Sequence, residues 1–196
     1  MKKHEHSGCP KRTLENPHEI LVKAGIQKGK YVLLDIGTGS GYLAVISAEI
    51  MGSGSTVYAL DCNKETVKIL EKELSNKGIK NIFALEADAV NKFPIKRDSA
   101  DICIMSNVVH GFVPNREMEK ILQNLNIVLK DDGKLIILDF KKDDLSFGPP
   151  LEMRLDIKEL EDILEPYGYI LINSFDAGVN QYCTVFKKMC LQNKWC

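Results

Sequence analysis

No stretch of the 196 residues approaches the ~20 consecutive apolar residues that a bilayer-spanning helix needs. The opening MKKHEHSGCPKR is polar and lacks the apolar centre of a secretory leader. The expected address is cytoplasmic, and with it a reducing compartment. Cysteines are present at Cys9, Cys62, Cys103, Cys183, Cys190 and Cys196, but no C-x-x-C pair occurs among them. In the cytosol that leaves plain thiols, with Cys103 and Cys183 expected inside because they lie in apolar, strand-like runs. His4, His6 and Cys9 form H-x-H-x-x-C, but a loose terminus is a poor place for a defined site, and no metal is expected. A basic excess is missing too: 26 Lys and Arg face 27 Asp and Glu, for a net charge of -1. Proteins that wrap nucleic acid draw most of that affinity from neutralising phosphates, so a nucleic-acid partner is disfavoured. Neither an internal repeat nor a low-complexity linker divides the chain. Its length suits a single domain, 1–196, with one substantial core. Residues 1–19 read as an N-terminal segment and 189–196 as a flexible tail, although the apolar residues of MCLQNKWC also fit a contact between copies in a homo-oligomer.

What is there is an alternation of short β-rich runs with longer helical ones. YVLLD (31–35), VYALD (57–61), NIFALEAD (81–88), ADICIMS (100–106) and GKLIILDF (133–140) read as strands. Between them, LAVISAEIM (43–51) reads as a helix with Leu43, Ile46 and Ile50 on one stripe. KETVKILEKELSNKGI places Val67, Leu70 and Leu74 at helical spacing, with Gly78 as the stop. NREMEKILQNLNIVLK (115–130) is a third amphipathic helix, ended by the turn DDG, and IKELEDILEPYG a fourth. YILINSFD (169–176) and QYCTVFKK (181–188) pair as a hairpin across AGVN. Strand–helix alternation of this kind means parallel crossovers and a doubly wound α/β sheet, with the hairpin adding one antiparallel strand. Ligands of such sheets sit outside the carboxyl ends of the strands, which directs attention to Asp35–Gly41, Asp61, Asp88, Ser106–His110 and Phe140.

The loop after the first strand is D35-I-G37-T-G39-S-G41-Y. A dinucleotide fingerprint requires G-x-G-x-x-G, and here the third glycine comes one residue early. No lysine follows Gly41, so a triphosphate loop is excluded. A carboxylate two residues before the first glycine would repel a pyrophosphate but suits a ligand carrying an ammonium group. That points away from NAD and toward a zwitterionic nucleoside. Asp61, at the end of the second strand, can accept from both ribose hydroxyls, and Asp88, after the third, from an adenine amino group. Each has an innocent alternative, Asp61 as a helix cap and Asp88 as a turn cap. Three acids in order at three strand ends are harder to explain as turn chemistry.

LLDIGTGSGYLA, VYALDCN, LEADAV, ADICIMSNVVH and LKDDGKLIILDF together resemble the successive motifs of the class I S-adenosylmethionine-dependent methyltransferases. The resemblance runs over nearly the whole chain and implies the family's Rossmann-like sheet of seven strands, mostly parallel with an antiparallel last strand. It also implies the site. Asp35, Gly37, Thr38, Gly39 and Gly41 would face the methionine portion of S-adenosylmethionine, Asp61 the ribose, and Cys62, Asp88 and Ala89 the adenine. Ser106 and Asn107 would line the site after the fourth strand.

Methyl transfer from a sulfonium needs positioning and at most a base, so no loud catalytic signature is required. SNVVHGF lacks the N/D-P-P-aromatic motif of enzymes that methylate amide or adenine amino nitrogens. No Pro-Cys or Thr-Cys nucleophile stands at a strand end, which disfavours cytosine chemistry. His110 is the one histidine near the expected mouth and is the candidate base, against a plain loop histidine. In FGPPLEMR (147–154) Arg154 could clamp a carboxylate or phosphate of the acceptor, against a surface arginine. Size and the run from Ser106 to Phe140 look most like the small-molecule subgroup, which includes quinone C-methyltransferases and arsenite methyltransferases. The arsenite group's cysteine arrangement is not matched, and the strand-four segment departs from the quinone group's usual G-[LIF]-R-N. The expected activity is methylation of a small molecule. The rivals are an RNA or protein methyltransferase, a non-catalytic relative that binds the nucleoside, and an NAD-dependent reductase.

Overall fold

The computed structural model describes residues 14–143 and 147–190. His4, His6, Cys9 and Cys196 therefore lie outside the described residues, as do most of the N-terminal segment and the end of the tail. Seven strands form one sheet: β1 Val32–Ile36, β2 Thr56–Asp61, β3 Ile82–Glu86, β4 Ala100–Ser106, β5 Leu129–Phe140, β6 Tyr169–Asp176 and β7 Gln181–Lys188. Their order is β3-β2-β1-β4-β5-β7-β6. The first five run parallel, while β7 pairs antiparallel with both β5 and β6. The hairpin reading thus holds to the residue. Strand β7 is inserted next to β5, so the one reversed strand among the described residues lies one place in from the edge.

Helices α1 Pro17–Lys23, α2 Tyr42–Met51, α3 Lys64–Asn76, α4 Val109–Phe112, α5 Met118–Val128 and α6 Ile157–Leu164 cover the two faces. Side chains alternate across a strand, and the two cores follow that alternation. Leu33, Val57, Ala59, Ile104, Ile136, Leu138 and Cys183 pack with residues of α1, α2 and α3. Leu34, Ile36, Leu60, Cys103, Met105, Leu135, Ile137 and Phe186 pack with those of α4, α5 and α6. Strands buried on both faces are apolar at nearly every position, which is why YVLL and ICIM read as continuous runs. Cys103 and Cys183 are both buried, as expected of thiols in these strands.

Three local readings differ. Helix α2 buries Leu43, Ala44, Ser47, Ala48 and Met51. Ile46 and Ile50 only flank that face, because two alanines and a serine let the helix sit close to the sheet. The turn DDG does not precede the fifth strand but interrupts it. Ala100 pairs with Leu129 and Ile102 already with Lys134, and the extra residues bulge out with Asp132 at φ +64°. Helix α1 has no counterpart in the sequence reading. Pro17 starts it, Asn16 accepts from Glu19 N–H, and Ile20 and Leu21 enter the core.

Candidate active site

Strand order reverses between β1 and β4, and the crevice at their carboxyl ends is walled by the glycine loop. Gly37 and Gly41 both have positive φ, +71° and +74°, where an L side chain is strained. Space forbids one as well. A Cβ on Gly37 would stand 2.5 Å from Val108 Cγ1, and one on Gly41 2.4 Å from Leu70 Cδ1. The loop is thereby pressed onto the segment after β4 and onto α3. Gly39 differs: a Cβ there would meet nothing within 4 Å, so its backbone faces open space. Gly37 and Thr38 donate their N–H groups to Leu60 O at 2.8 and 2.9 Å. Thr38 Oγ1 donates to Asp35 Oδ2 at 2.6 Å. Asp35 is buried, and burial lifts its carboxyl from 3.8 to about 6; the Thr38 hydroxyl works against that rise and the Asp61 charge adds to it.

Asp61 ties the loop to the second strand. Its Oδ2 accepts from Gly39 N–H at 3.0 Å and its Oδ1 from Asn63 N–H at 2.9 Å. The helix-cap alternative for Asp61 belongs instead to Asn63, whose Oδ1 accepts from Glu65 and Thr66 N–H. A carboxylate offers about four lone-pair sites, so Asp61 keeps capacity for a diol after the two backbone bonds. Cys62 is exposed beside it. Its thiol is pushed up by partial desolvation first, then by the charges of Asp61 and Asp88. Asp88 lies two residues beyond β3, exposed, and its Oδ1 accepts from Val90 N–H at 3.1 Å, so it does cap a turn. The other oxygen of that carboxylate has no hydrogen-bond partner among the described residues. Ala89 is held from behind, its carbonyl accepting from Asn124 Nδ2 at 3.1 Å.

At the end of β4, Ser106 is half-buried and Asn107 takes a left-handed φ of +56°, its N–H donating to Leu138 O at 2.8 Å. Asn107 Oδ1 accepts from Gln181 Nε2 at 2.5 Å, and the buried Gln181 Oε1 has no partner among the described residues. Three residues on, His110 is the second residue of the short helix α4. Its Nδ1 lies 2.8 Å from Asp139 Oδ1, and its backbone N–H donates to Asp139 Oδ2 at 3.1 Å. The ring meets Phe140 edge to face, with centroids 6.0 Å apart. Asp139 is missing from the sequence reading. It sits one residue before Phe140 in an apolar strand, and an acid inside LIILDF was the available signal.

Arg154 stands elsewhere than expected. It is buried, and its guanidinium donates to the carbonyls of Pro149, Lys141, Asp143 and Phe147. The group also lies over the Phe140 ring, 5.8 Å from its centroid. Four donors spent on the chain's own carbonyls make it the peg of the 141–150 loop, neither a surface arginine nor a free clamp for an acceptor. Among the described residues no three His, Cys, Asp or Glu side chains gather as a metal site, and no helix is long and apolar enough to cross a membrane.

Residues 27–196 match the family model described as a methyltransferase domain. A ubiquinone/menaquinone biosynthesis C-methyltransferase of Wigglesworthia glossinidia brevipalpis is 32% identical over 124 residues, 63% of this chain and 48% of that protein. Its namesake in Pectobacterium carotovorum is 29% identical over 166 residues, covering 81% of this chain and 59% of the relative. The chain thus spans about half the length of these curated relatives. Among solved structures, a SAM-dependent methyltransferase from Aquifex aeolicus superposes with a TM-score of 0.82 at 27% identity, covering 90% of this chain and 91% of that one.

Proposed function

The chain belongs to the class I methyltransferase family, and we propose that it transfers the methyl group of S-adenosylmethionine to a small-molecule acceptor at the carboxyl ends of β1, β2 and β4. The observation that carries this reading is the junction at Gly39, where an open backbone is bonded to a carboxylate that retains free lone pairs. Bound there, S-adenosylmethionine supplies a sulfonium-activated methyl group. Asp61 holds the ribose hydroxyls, and Cys62, Asp88 and Ala89 border the adenine. Asp35 and the loop from Gly37 through Thr38 to Gly41 face the amino-acid end, where an ammonium group offsets the cost of the buried carboxylate. Ser106 and Asn107 close the crevice from the β4 side, and His110 stands on the acceptor side as the base.

A small acceptor is supported by the likeness to the quinone C-methyltransferases. Leu14, Ile20 and Leu21 pack against the core. What borders the mouth is α4 and the pegged loop around Phe147. The NAD-dependent reductase is disfavoured by the same glycine geometry, and RNA by the charge balance.

Calorimetric titration with S-adenosylhomocysteine, S-adenosylmethionine and NADH tests the reading. The first two bind the wild-type protein and Asp61→Ala weakens them by about 10- to 100-fold, as expected for lost charge-assisted hydrogen bonds and an untied loop. Binding of NADH alone would promote the reductase. Nucleoside binding without turnover of any acceptor would leave a non-catalytic relative.

A further inference from the structure

The Asp139 carboxylate is almost fully buried and has three donors around it. His110 N–H donates to Oδ2 at 3.1 Å, Phe140 N–H to Oδ1 at 2.8 Å, and His110 Nδ1 lies 2.8 Å from Oδ1. The two backbone amides fix the carboxylate's plane, so the imidazole is held by a group that cannot itself turn. A carboxylate only accepts hydrogen bonds, and the ring nitrogen facing it therefore carries the hydrogen. In a neutral imidazole the lone pair then belongs to Nε2. The side chain of His110 is 20% exposed against 5% for Asp139, so the accessible edge of the ring is the one away from the carboxylate. Phe140 stands edge-on to the same ring and Phe147 edge-on to Phe140, which limits the ring's freedom. The segment from Asn107 to His110 starts against the glycine loop, through Val108 on Gly37, and ends on Asp139.

We propose that Asp139 is a positioning residue that locks His110 in the Nδ1-protonated tautomer, leaving Nε2 to take a proton from a hydroxyl-bearing acceptor. This rests on the methyltransferase reading above and adds to it the chemistry of the acceptor. The acceptor's O–H bond breaks, its proton forms a bond to the Nε2 lone pair, and the electron pair stays on oxygen. The resulting oxyanion is the nucleophile toward the sulfonium-activated methyl group, whose bond to sulfur breaks as the oxygen–carbon bond forms, the electron pair leaving with sulfur. The imidazolium, facing the Asp139 carboxylate, later returns its proton to solvent. An acceptor already anionic near neutral pH, such as an aryl thiolate, gains nothing from this device.

The test uses the full chain labelled with ¹⁵N-histidine and saturated with S-adenosylhomocysteine, its His110 signals identified by loss in His110→Gln. Long-range proton–nitrogen correlation is expected to show a protonated Nδ1 and a bare Nε2, and D139N to shift the ring toward the other tautomer. With naphthol and nitrobenzenethiol as probe acceptors, D139N is expected to lower the naphthol-to-thiol rate ratio by about 10²-fold, within the usual range for general-base catalysis. D139E, which keeps an accepting carboxylate, restores part of the ratio and serves if D139N does not fold. A wild-type Nε2–H tautomer, an unchanged ratio, or no methylation of naphthol would each overturn the proposal. The expected tautomer in a chain that fails to bind S-adenosylhomocysteine would instead overturn the cofactor reading and leave the His110–Asp139 geometry standing.

Discussion

The ionised Asp35 carboxylate carries a cost to the fold, because it is buried. The unfolded carboxyl ionises near 3.8 and the folded one near 6, so the native state binds this proton more tightly and folding opposes the charge. The penalty is absent below the lower value, grows between the two, and is complete above the upper one, where it amounts to about 3 kcal/mol. Asp35→Asn, which can still accept from Thr38, is therefore expected to be more stable than the wild type at about pH 8, with the gap closing toward about pH 4. Urea unfolding at a series of pH values checks this, and a gap that does not vary with pH would contradict it. On the proposed site, the same variant is expected to bind S-adenosylhomocysteine more weakly in calorimetric titration, because the carboxylate assigned to the ammonium group is gone. Asp35, Asp61 and the glycines were legible in the sequence because each sits at a strand end with a spacing that chemistry constrains. Asp139 was not. Nothing in LIILDF distinguishes a buried acid that meets a histidine 29 positions earlier in the chain from one that caps a turn.

At the scale of elements, the strands were the most readable and the loops the least. A short continuous apolar run bounded by turn residues marks a strand buried on both faces, and the hairpin announced itself by two β-rich runs around AGVN. The bulge in β5 was hidden because Asp-Asp-Gly has the composition of a turn, and only pairing with β4 decides whether such a turn ends a strand or interrupts it. Arg154 shows the opposite difficulty. Its residue type suggested an anion clamp, yet its four carbonyl partners come from a loop whose path no local pattern specifies. Arg154→Met is expected to lower stability by roughly 2–4 kcal/mol, since it removes the buried guanidinium's hydrogen bonds to four loop carbonyls. It should also make the 141–150 loop the first site of limited proteolysis. Cleavage kinetics at that loop, compared with cleavage elsewhere, separate the two effects; an unchanged pattern would mean that the loop is held by other contacts.

For the whole molecule, β7 is the piece on which both faces depend. It runs between β5 and β6, contributes Cys183 and Val185 to one core and Tyr182 and Phe186 to the other, and carries Gln181 to the edge of the crevice. Phe186→Ala is expected to cost about 3–5 kcal/mol, the range for a fully buried aromatic ring. A single cooperative transition should persist but shift down by roughly 10 °C, since each kcal/mol moves the midpoint of a chain this size by about 2–4 °C. Calorimetry checks it, and a second transition would mean that the hairpin unfolds separately from the five-stranded core. The order of the strands, the parallel sheet, the reversed last strand and the acids at the strand ends were all written in the linear chain, because they follow from apolar patterning, turn chemistry and spacing. Insertion of β7 beside β5, pairing of His110 with Asp139 and diversion of Arg154 to its own loop were decided only in three dimensions. Each joins groups distant in sequence whose encounter depends on how the two cores close, and neither periodicity nor residue type records that distance.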